Sequence, residues 1–384
     1  MTETFTKIPI FRPEVTDTGL PQELRISISE LLKQGCFIRG RAVLDFENQL
    51  AQYLSANNVI AVGNGTDALL AALMALELNK GDEVITPAFG YPAAVEMICL
   101  LGLTPVLVDV DWNTFNLDPA QLEEAISPKT KVILPLHLFG LPARMDDIMQ
   151  IADKYQLTVI EDAAQSLGSD CVVDGKKRKS GTVASLGCTS FFPSKNLGAW
   201  GDGGAIFVNR DDPKLWNRLR SIVSHGQEKK YFHTMLGMNS RLDTVQAEVL
   251  CYYLSRFGDN CRRRVQIASR YTESFSQLES LELPLCTEVN SYVPNLYTVK
   301  VAKDRRDALQ SYLNKKGIAS QVYYPLPIHR QKAYAPFVRT PVKLTNSEQL
   351  PFCVLSLPCF PSMKEWEQEA VISAVKQFFR ESHV

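Results

Sequence analysis

Apolar positions recur at helical spacing over residues 20–34 and again over 41–54, where Val43, Phe46, Leu50 and Leu54 fall on one stripe. Gly35 is placed to stop the first of these helices. From residue 58 the pattern changes. Short, β-branched runs at 58–62, 83–86, 105–110, 131–135, 157–161, 186–191 and 205–208 are separated by longer stretches, several of them helical: 68–77, 92–101 and 145–155. The runs are apolar throughout and do not alternate, as strands covered on both faces require. Strand–helix alternation of this kind predicts an α/β fold, with a mostly parallel sheet flanked by helices.

A long helical pattern then runs from about 243 to 281. It is followed by a strand at 296–301, a helix at 305–316, a strand at 319–323 and a terminal helix at 364–380. A length of 384 residues accommodates two or three domains. We divide the chain into an N-terminal arm and large domain, 1–259, and a smaller C-terminal α/β domain, 260–384. No Gly-, Ser- or Pro-rich linker separates them, so the long helix is expected to join the two.

Charge and composition narrow the function. Lysine and arginine number 41 against 42 acidic residues, a formal net charge of −1. This gives no electrostatic reason to expect nucleic acid or an anionic membrane as partner. Arg262-Arg263-Arg264 reads as a solvated face of the long helix. No apolar run approaches the roughly 18 residues of a membrane span. Met1-Thr2-Glu3-Thr4-Phe5 lacks a basic segment followed by an apolar stretch, so no signal peptide is expected from it. The nine cysteines are odd in number and scattered, with no Cys-x-x-Cys. They read as reduced thiols of a cytoplasmic protein, with no disulfide framework and no metal site.

Three segments that end predicted strands carry candidate chemistry. Gly63-Asn64-Gly65-Thr66-Asp67 opens a helix and could offer backbone N–H groups and a hydroxyl to an anion. It could equally be an ordinary turn capped by Thr66 or Asp67. Glu161-Asp162 stands at a strand's carboxyl end, where open α/β sheets place their ligands, or else caps a helix. Lys195 lies between a buried strand and Gly201-Asp202-Gly203-Gly204; a lysine desolvated there becomes a nucleophile toward carbonyls, though most lysines are solvated surface groups. Tyr91 follows a further strand and could stack on a ring or pack in the core. Pyridoxal 5′-phosphate needs all four parts: an anion cradle, a carboxylate beside its pyridine nitrogen, an aromatic on its face and a lysine for its aldehyde.

With these residues assembled, the chain resembles the DegT/StrS family of pyridoxal-phosphate-dependent nucleotide-sugar aminotransferases, within the aspartate-aminotransferase fold (fold type I). The resemblance runs from about Gly35 to Leu357. It is carried by Asn64-Gly65-Thr66-Asp67-Ala68, Glu161-Asp162-Ala163-Ala164-Gln165, Ser190-Phe191-Phe192-Pro193-Ser194-Lys195-Asn196-Leu197-Gly198, Gly203-Gly204-Ala205 and Asn239-Ser240-Arg241-Leu242-Asp243. It implies that Lys195 is the Schiff-base lysine and Asp162 the partner of the pyridine nitrogen. Gln165 would meet the ring hydroxyl oxygen. Gly65, Thr66, Asp67 and Ser190 would hold the phosphate, and Tyr91 would stack.

The resemblance also implies a homodimer with composite sites. Asn239 would reach the cofactor phosphate of the neighbouring subunit, with Arg241 placed for a substrate anion. His225, Tyr323, Tyr324 and His329 would bind substrate. Two departures stand out: Asp202 where many members carry Glu, and Tyr323 where several carry His.

The implied reaction moves an amino group from L-glutamate to a nucleotide-linked keto sugar, with pyridoxamine 5′-phosphate as the intermediate cofactor form. The sugar is read as 3-keto, alternatively 4-keto. The amino-sugar product would serve surface polysaccharide or secondary-metabolite glycosylation. The rival readings are a sugar dehydratase on the same fold, whose members carry histidine at the lysine position, and a non-catalytic regulatory or binding protein.

Overall fold

A computed structural model of the chain describes residues 7–13, 19–285 and 292–381. Its helices of eight residues or more, with two shorter ones among them, are α1 (Gln22–Gln34), α2 (Arg41–Leu54), α3 (Gly65–Ala75), α4 (Ala93–Leu100), the short α5 (Leu122–Ala125), α6 (Met145–Tyr155), α7 (Pro213–Ile222), α8 (Thr244–Leu254), α9 (Phe257–Phe275), α10 (Lys303–Lys315), the short α11 (Thr345–Gln349) and α12 (Glu365–Glu381). The strands are β1 (Asn58–Val62), β2 (Glu83–Pro87), β3 (Thr104–Val108), β4 (Thr130–Ile133), β5 (Thr158–Asp162), β6 (Asp170–Val173), β7 (Lys176–Lys179), β8 (Leu186–Ser190), β9 (Gly204–Val208), β10 (Gln227–Lys229), β11 (Phe232–His233), β12 (Leu281–Glu282), β13 (Tyr297–Val301) and β14 (Val354–Leu357).

Seven strands form the central sheet in the order β1-β9-β8-β5-β4-β2-β3. All its neighbours pair in parallel except at β9, which is antiparallel to both β1 and β8. The parallel strands end on the same edge of the sheet, and β9 starts there. Alternate residues of each strand enter different cores, which is why the runs carry no polar face. In β1, Ile60 and Val62 pack with α3, α4 and α7, while Val59 and Ala61 pack with α2 and α8.

Residues 281–381 build a three-stranded antiparallel sheet, β12-β13-β14, covered by α10, α12 and the second half of α9. The N-terminal segment joins this region: Ile8 bridges to Ile318, and Arg12 pairs with the buried Glu367. In α9, Phe257 and Cys261 sit in the core beside the large sheet, whereas Ile267, Tyr271 and Phe275 sit in the C-terminal core.

Four local expectations change. The helical pattern of 243–281 is two helices, broken at Ser255 and Arg256, between α8 and α9. Residues 319–323 make a single bridge, Gln321 to Ser356, and no strand; the partner of β13 is β14. The arginine run is not one solvated face. Arg262 is exposed, but Arg264 lies on the buried stripe of α9 with Cys261, Ala268 and Tyr271, and is 2% exposed. The helix after β1 begins at Gly65, and its cap is Asn64, whose Oδ1 accepts from Asp67 N–H at 2.8 Å.

No helix among the described residues is long and apolar enough to cross a membrane. Eight cysteines are free; Cys286 lies outside the described residues. No group of three or more metal-ligating side chains occurs among the described residues.

Candidate active site

The strand ends enclose a cavity of about 620 Å³. Its floor and walls include Gly65, Thr66, Tyr91, Asp162, Gln165, Ser190, Lys195, Tyr323 and Tyr324. These nine come from β1, β2, β5 and β8 and from the C-terminal region, so the sheet's common edge brings distant sequence positions into one space.

The turn after β1 forms the narrow end. A Cβ on Gly65 would come within 2.8 Å of Ser190 Cβ, and one on Gly204 within 2.4 Å of the Asn64 carbonyl carbon. Glycine at both positions lets the first turn of α3 lie against the ends of β8 and β9. The unpaired N–H groups of that turn then face the cavity beside the Thr66 and Ser190 hydroxyls. Asp67 holds the turn from behind: Ser240 Oγ donates to its Oδ2 at 2.6 Å and accepts from Gly63 N–H at 2.9 Å.

Asp162 ends β5, and no helix follows it, so it caps none. Its Oδ1 accepts from Ala164 N–H at 3.0 Å. Burial raises its pKa, opposed by that hydrogen bond and by the nearby Lys195 and His137. Burial likewise lowers the pKa of the Lys195 amine, and the Asp162 charge pulls it back in part. A carboxyl and an amine thus share one poorly solvated space, each shifted toward its neutral form.

Behind Asp162, Glu161 points to the opposite face of β5. Its carboxylate accepts from the N–H groups of Gly181, Val183 and Ala184 at 2.7–2.9 Å and lies 3.0 Å from His137 Nε2. Gln165 spans the cavity wall: Oε1 accepts from Phe139 N–H at 3.0 Å, and Nε2 donates to Tyr324 Oη at 3.2 Å. The rings of Tyr91 and Tyr324 lie 6.3 Å apart, and burial keeps the Tyr324 and Tyr323 phenols above their usual pKa.

The remaining sequence-derived residues stand elsewhere in the chain. His225 and Asn239 are exposed. Arg241 lines a separate pocket of about 250 Å³ with Arg39, Arg220 and Glu47. His329 faces Glu348 at 3.2 Å. Conversely, Arg264 and Asn295 line the cavity and were not singled out as site residues by the sequence. Arg264 Nη1 donates to the carbonyls of Pro294, Asn295 and Cys359 at 2.9–3.3 Å. A buried arginine spaced as part of an apolar stripe was the available signal; nothing local marked Asn295.

The cavity fits pyridoxal phosphate on its own chemistry. It has an anion cradle that a Cβ would fill, a buried carboxyl with a partly lowered amine beside it, and aromatic rings at its mouth.

Residues 21–376 match the DegT/DnrJ/EryC1/StrS aminotransferase family. The chain is 42% identical to a UDP-2-acetamido-2-deoxy-3-oxo-D-glucuronate aminotransferase of Pseudomonas aeruginosa, across 89% of this chain and 92% of that one. It is 40% identical to a UDP-N-acetyl-3-dehydro-alpha-D-glucosamine 3-aminotransferase of Acidithiobacillus ferrooxidans, across 96% and 97%. Among solved structures, NtdA from Bacillus subtilis with bound cofactor PMP superimposes with a TM-score of 0.85 at 34% identity, covering 93% of this chain and 81% of that one.

Proposed function

Because the chain belongs to the DegT/DnrJ/EryC1/StrS aminotransferase family and is a pyridoxal-phosphate-dependent sugar aminotransferase, we propose that it moves an amino group from L-glutamate to C3 of a nucleotide-linked keto sugar. The observation that carries this reading is the one cavity shared by Lys195, Asp162 and the Gly65–Thr66 turn. Two relatives named for 3-oxo and 3-dehydro sugars support C3 over C4.

Pyridoxal phosphate, when bound, supplies an aldehyde for amines and a ring that takes up electrons from the substrate carbon. Lys195 would hold it through Nζ, Asp162 would face its ring nitrogen, and Gln165 its hydroxyl oxygen. The N–H groups of Gly65 and Thr66, with the Thr66 and Ser190 hydroxyls, would hold its phosphate, with Asp67 stiffening the cradle. Tyr91 would cover the ring.

Lys195 Nζ, when free, would take a proton from the donor Cα and return one at the acceptor carbon. Its lowered pKa suits it to both tasks. Asp162 matters through its charge: ionised in a poorly solvated site, it stabilises a cation directly opposite. Tyr323 and Tyr324 would line the sugar subsite. Tyr323, a neutral hydroxyl, favours a neutral sugar over a uronic acid.

Asn239 and Arg241 lie outside their own chain's cavity and would complete the site of a second copy, with His225 and His329 at its rim. A cytoplasmic homodimer is the corresponding assembly.

Lys195→Ala tests the core of the proposal. Turnover should be lost with the fold intact, and borohydride should fix the cofactor to wild type but not to the variant. Substantial transamination by the alanine variant would overturn it.

A further inference from the structure

We infer that Asn295 is a positioning residue for Lys195: its side-chain amide, reaching in from the C-terminal region, clamps the residues on either side of the reacting amine. Asn295 Nδ2 donates to the Ser194 carbonyl and to Asn196 Oδ1, each at 3.2 Å. Asn196 is itself anchored, its Nδ2 donating to the carbonyls of Leu167 at 3.0 Å and Val293 at 3.3 Å. Lys195 N–H donates to the Phe192 carbonyl at 2.8 Å, closing the turn from within.

Asn295 is fixed in turn. Its N–H donates to the Phe139 carbonyl at 2.9 Å, and its carbonyl accepts from Arg264 Nη1 at 3.3 Å. Both asparagines are buried, at 6% and 7% exposure, and Asn295 also lines the cavity. A chain of bonds therefore runs from α9 through Asn295 to the Ser194 carbonyl and the Asn196 side chain, on either side of Lys195. A lysine stem has four rotatable bonds, so the amine can be aimed only if the backbone beneath it is held.

Buried amides are normally hydrogen-bonded, and a purely structural role would show as lost stability alone. A positioning role adds a second signature. Asp162 acts on Lys195 through its charge, and Arg264, Asp202, Tyr91, Tyr323, Tyr324 and Cys359 are the other titratable groups lining the same cavity. Loosening the turn admits water, which relieves the burial that lowers the Lys195 pKa, while these groups stay in place. The amine should move back toward its ordinary value.

The inference rests on Lys195 being the reacting amine, and the experiment separates the two. Apoenzyme of wild type and of Asn295→Ala is titrated with pyridoxal phosphate across pH. Uptake is read by visible absorbance, alongside kcat, KM for the sugar and thermal stability. Borohydride trapping in wild type must fix the cofactor on Lys195; if it does not, both the proposed function and this inference fail.

With trapping confirmed, Asn295→Ala should shift the pH midpoint of uptake upward and leave KM nearly unchanged. It should lower kcat by about ten- to a hundredfold, the range that misplacing a reacting group costs. An unmoved midpoint, or a fall in kcat that only tracks the folded fraction, overturns the role of Asn295 and leaves the proposed function standing. Should Asn295→Ala not fold, Asn295→Ser, which keeps one shorter donor, is read by the same criteria.

Discussion

His137 Nε2 and Glu161 Oε2 lie 3.0 Å apart, and neither side chain is exposed. Ala143 N–H donates to His137 Nδ1 at 3.0 Å, so the imidazole proton resides on Nε2 and is given to Glu161. With three further backbone donors, the Glu161 carboxylate is fully occupied. Glu161→Gln turns one acceptor oxygen into a donor facing two N–H groups. We expect a loss of about 3 kcal/mol in stability, since each buried donor left unpaired costs about 1–3 kcal/mol. Chemical denaturation of the apoenzyme measures it; a loss under about 1 kcal/mol would mean the pair can rearrange freely.

Asp162→Asn should separate stability from activity. Burial raises the Asp162 pKa above its unfolded value, so in the apoenzyme the ionised form costs stability. That cost is absent at acid pH and grows as pH rises from the unfolded pKa through the folded one. The asparagine variant, which can still accept from Ala164 N–H, should therefore be more stable than wild-type apoenzyme at neutral pH and should lose that difference in acid. Its turnover should fall by about a thousandfold, roughly 4 kcal/mol of transition-state stabilisation. Wild-type turnover by Asp162→Asn would assign the residue to structure alone.

Complementation tests the composite site. Lys195→Ala and Arg241→Ala chains, each first measured to be inactive, are unfolded, mixed and refolded together. Random pairing makes about half the dimers mixed, and each mixed dimer carries both lesions in one site and none in the other. Recovered activity should approach about a quarter of wild type. Mixed dimers that are present by mass but inactive would remove Arg241 from the partner's site.

Sugar selectivity follows from Tyr323, which lines the cavity with its phenol held neutral by burial. A uronic-acid carboxylate entering this space needs a charged donor, and a neutral hydroxyl supplies less. kcat/KM for a neutral 3-keto sugar should exceed that for its uronic-acid counterpart on the same nucleotide by about tenfold or more, the worth of one charge-assisted hydrogen bond. Tyr323→His should narrow the gap. Equal rates for the two sugars would rule out this role.

The sequence was most readable where burial is symmetric. Runs such as 59–62 and 205–208 are covered on both faces, so every position is apolar and the strand stands out. The same symmetry hides direction: nothing in Ala205-Ile206-Phe207-Val208 distinguishes the antiparallel β9 from its parallel neighbours. Short polar strands were missed, because Lys176-Lys177-Arg178-Lys179 has no buried face to betray it. In the cavity, residues on strand-end turns were legible from local chemistry. Asn295 was not, because its partners at 194 and 196 are distant in sequence and an isolated asparagine carries no periodicity.

The reversed β9 also bears on how the cavity is assembled. β8, the turn bearing Lys195 and β9 are consecutive and antiparallel, so they form one local hairpin-like unit that closes a short loop. The Gly65 cradle follows β1, whose only sheet partner among the described residues is β9, a pairing between segments far apart along the chain. Such non-local contacts are slow to form, since the intervening chain must be ordered first. A ligand held at once by the cradle and by Lys195 would staple that late pairing, so cofactor occupancy would protect the β1 edge of the sheet against opening as well as equip the enzyme for chemistry.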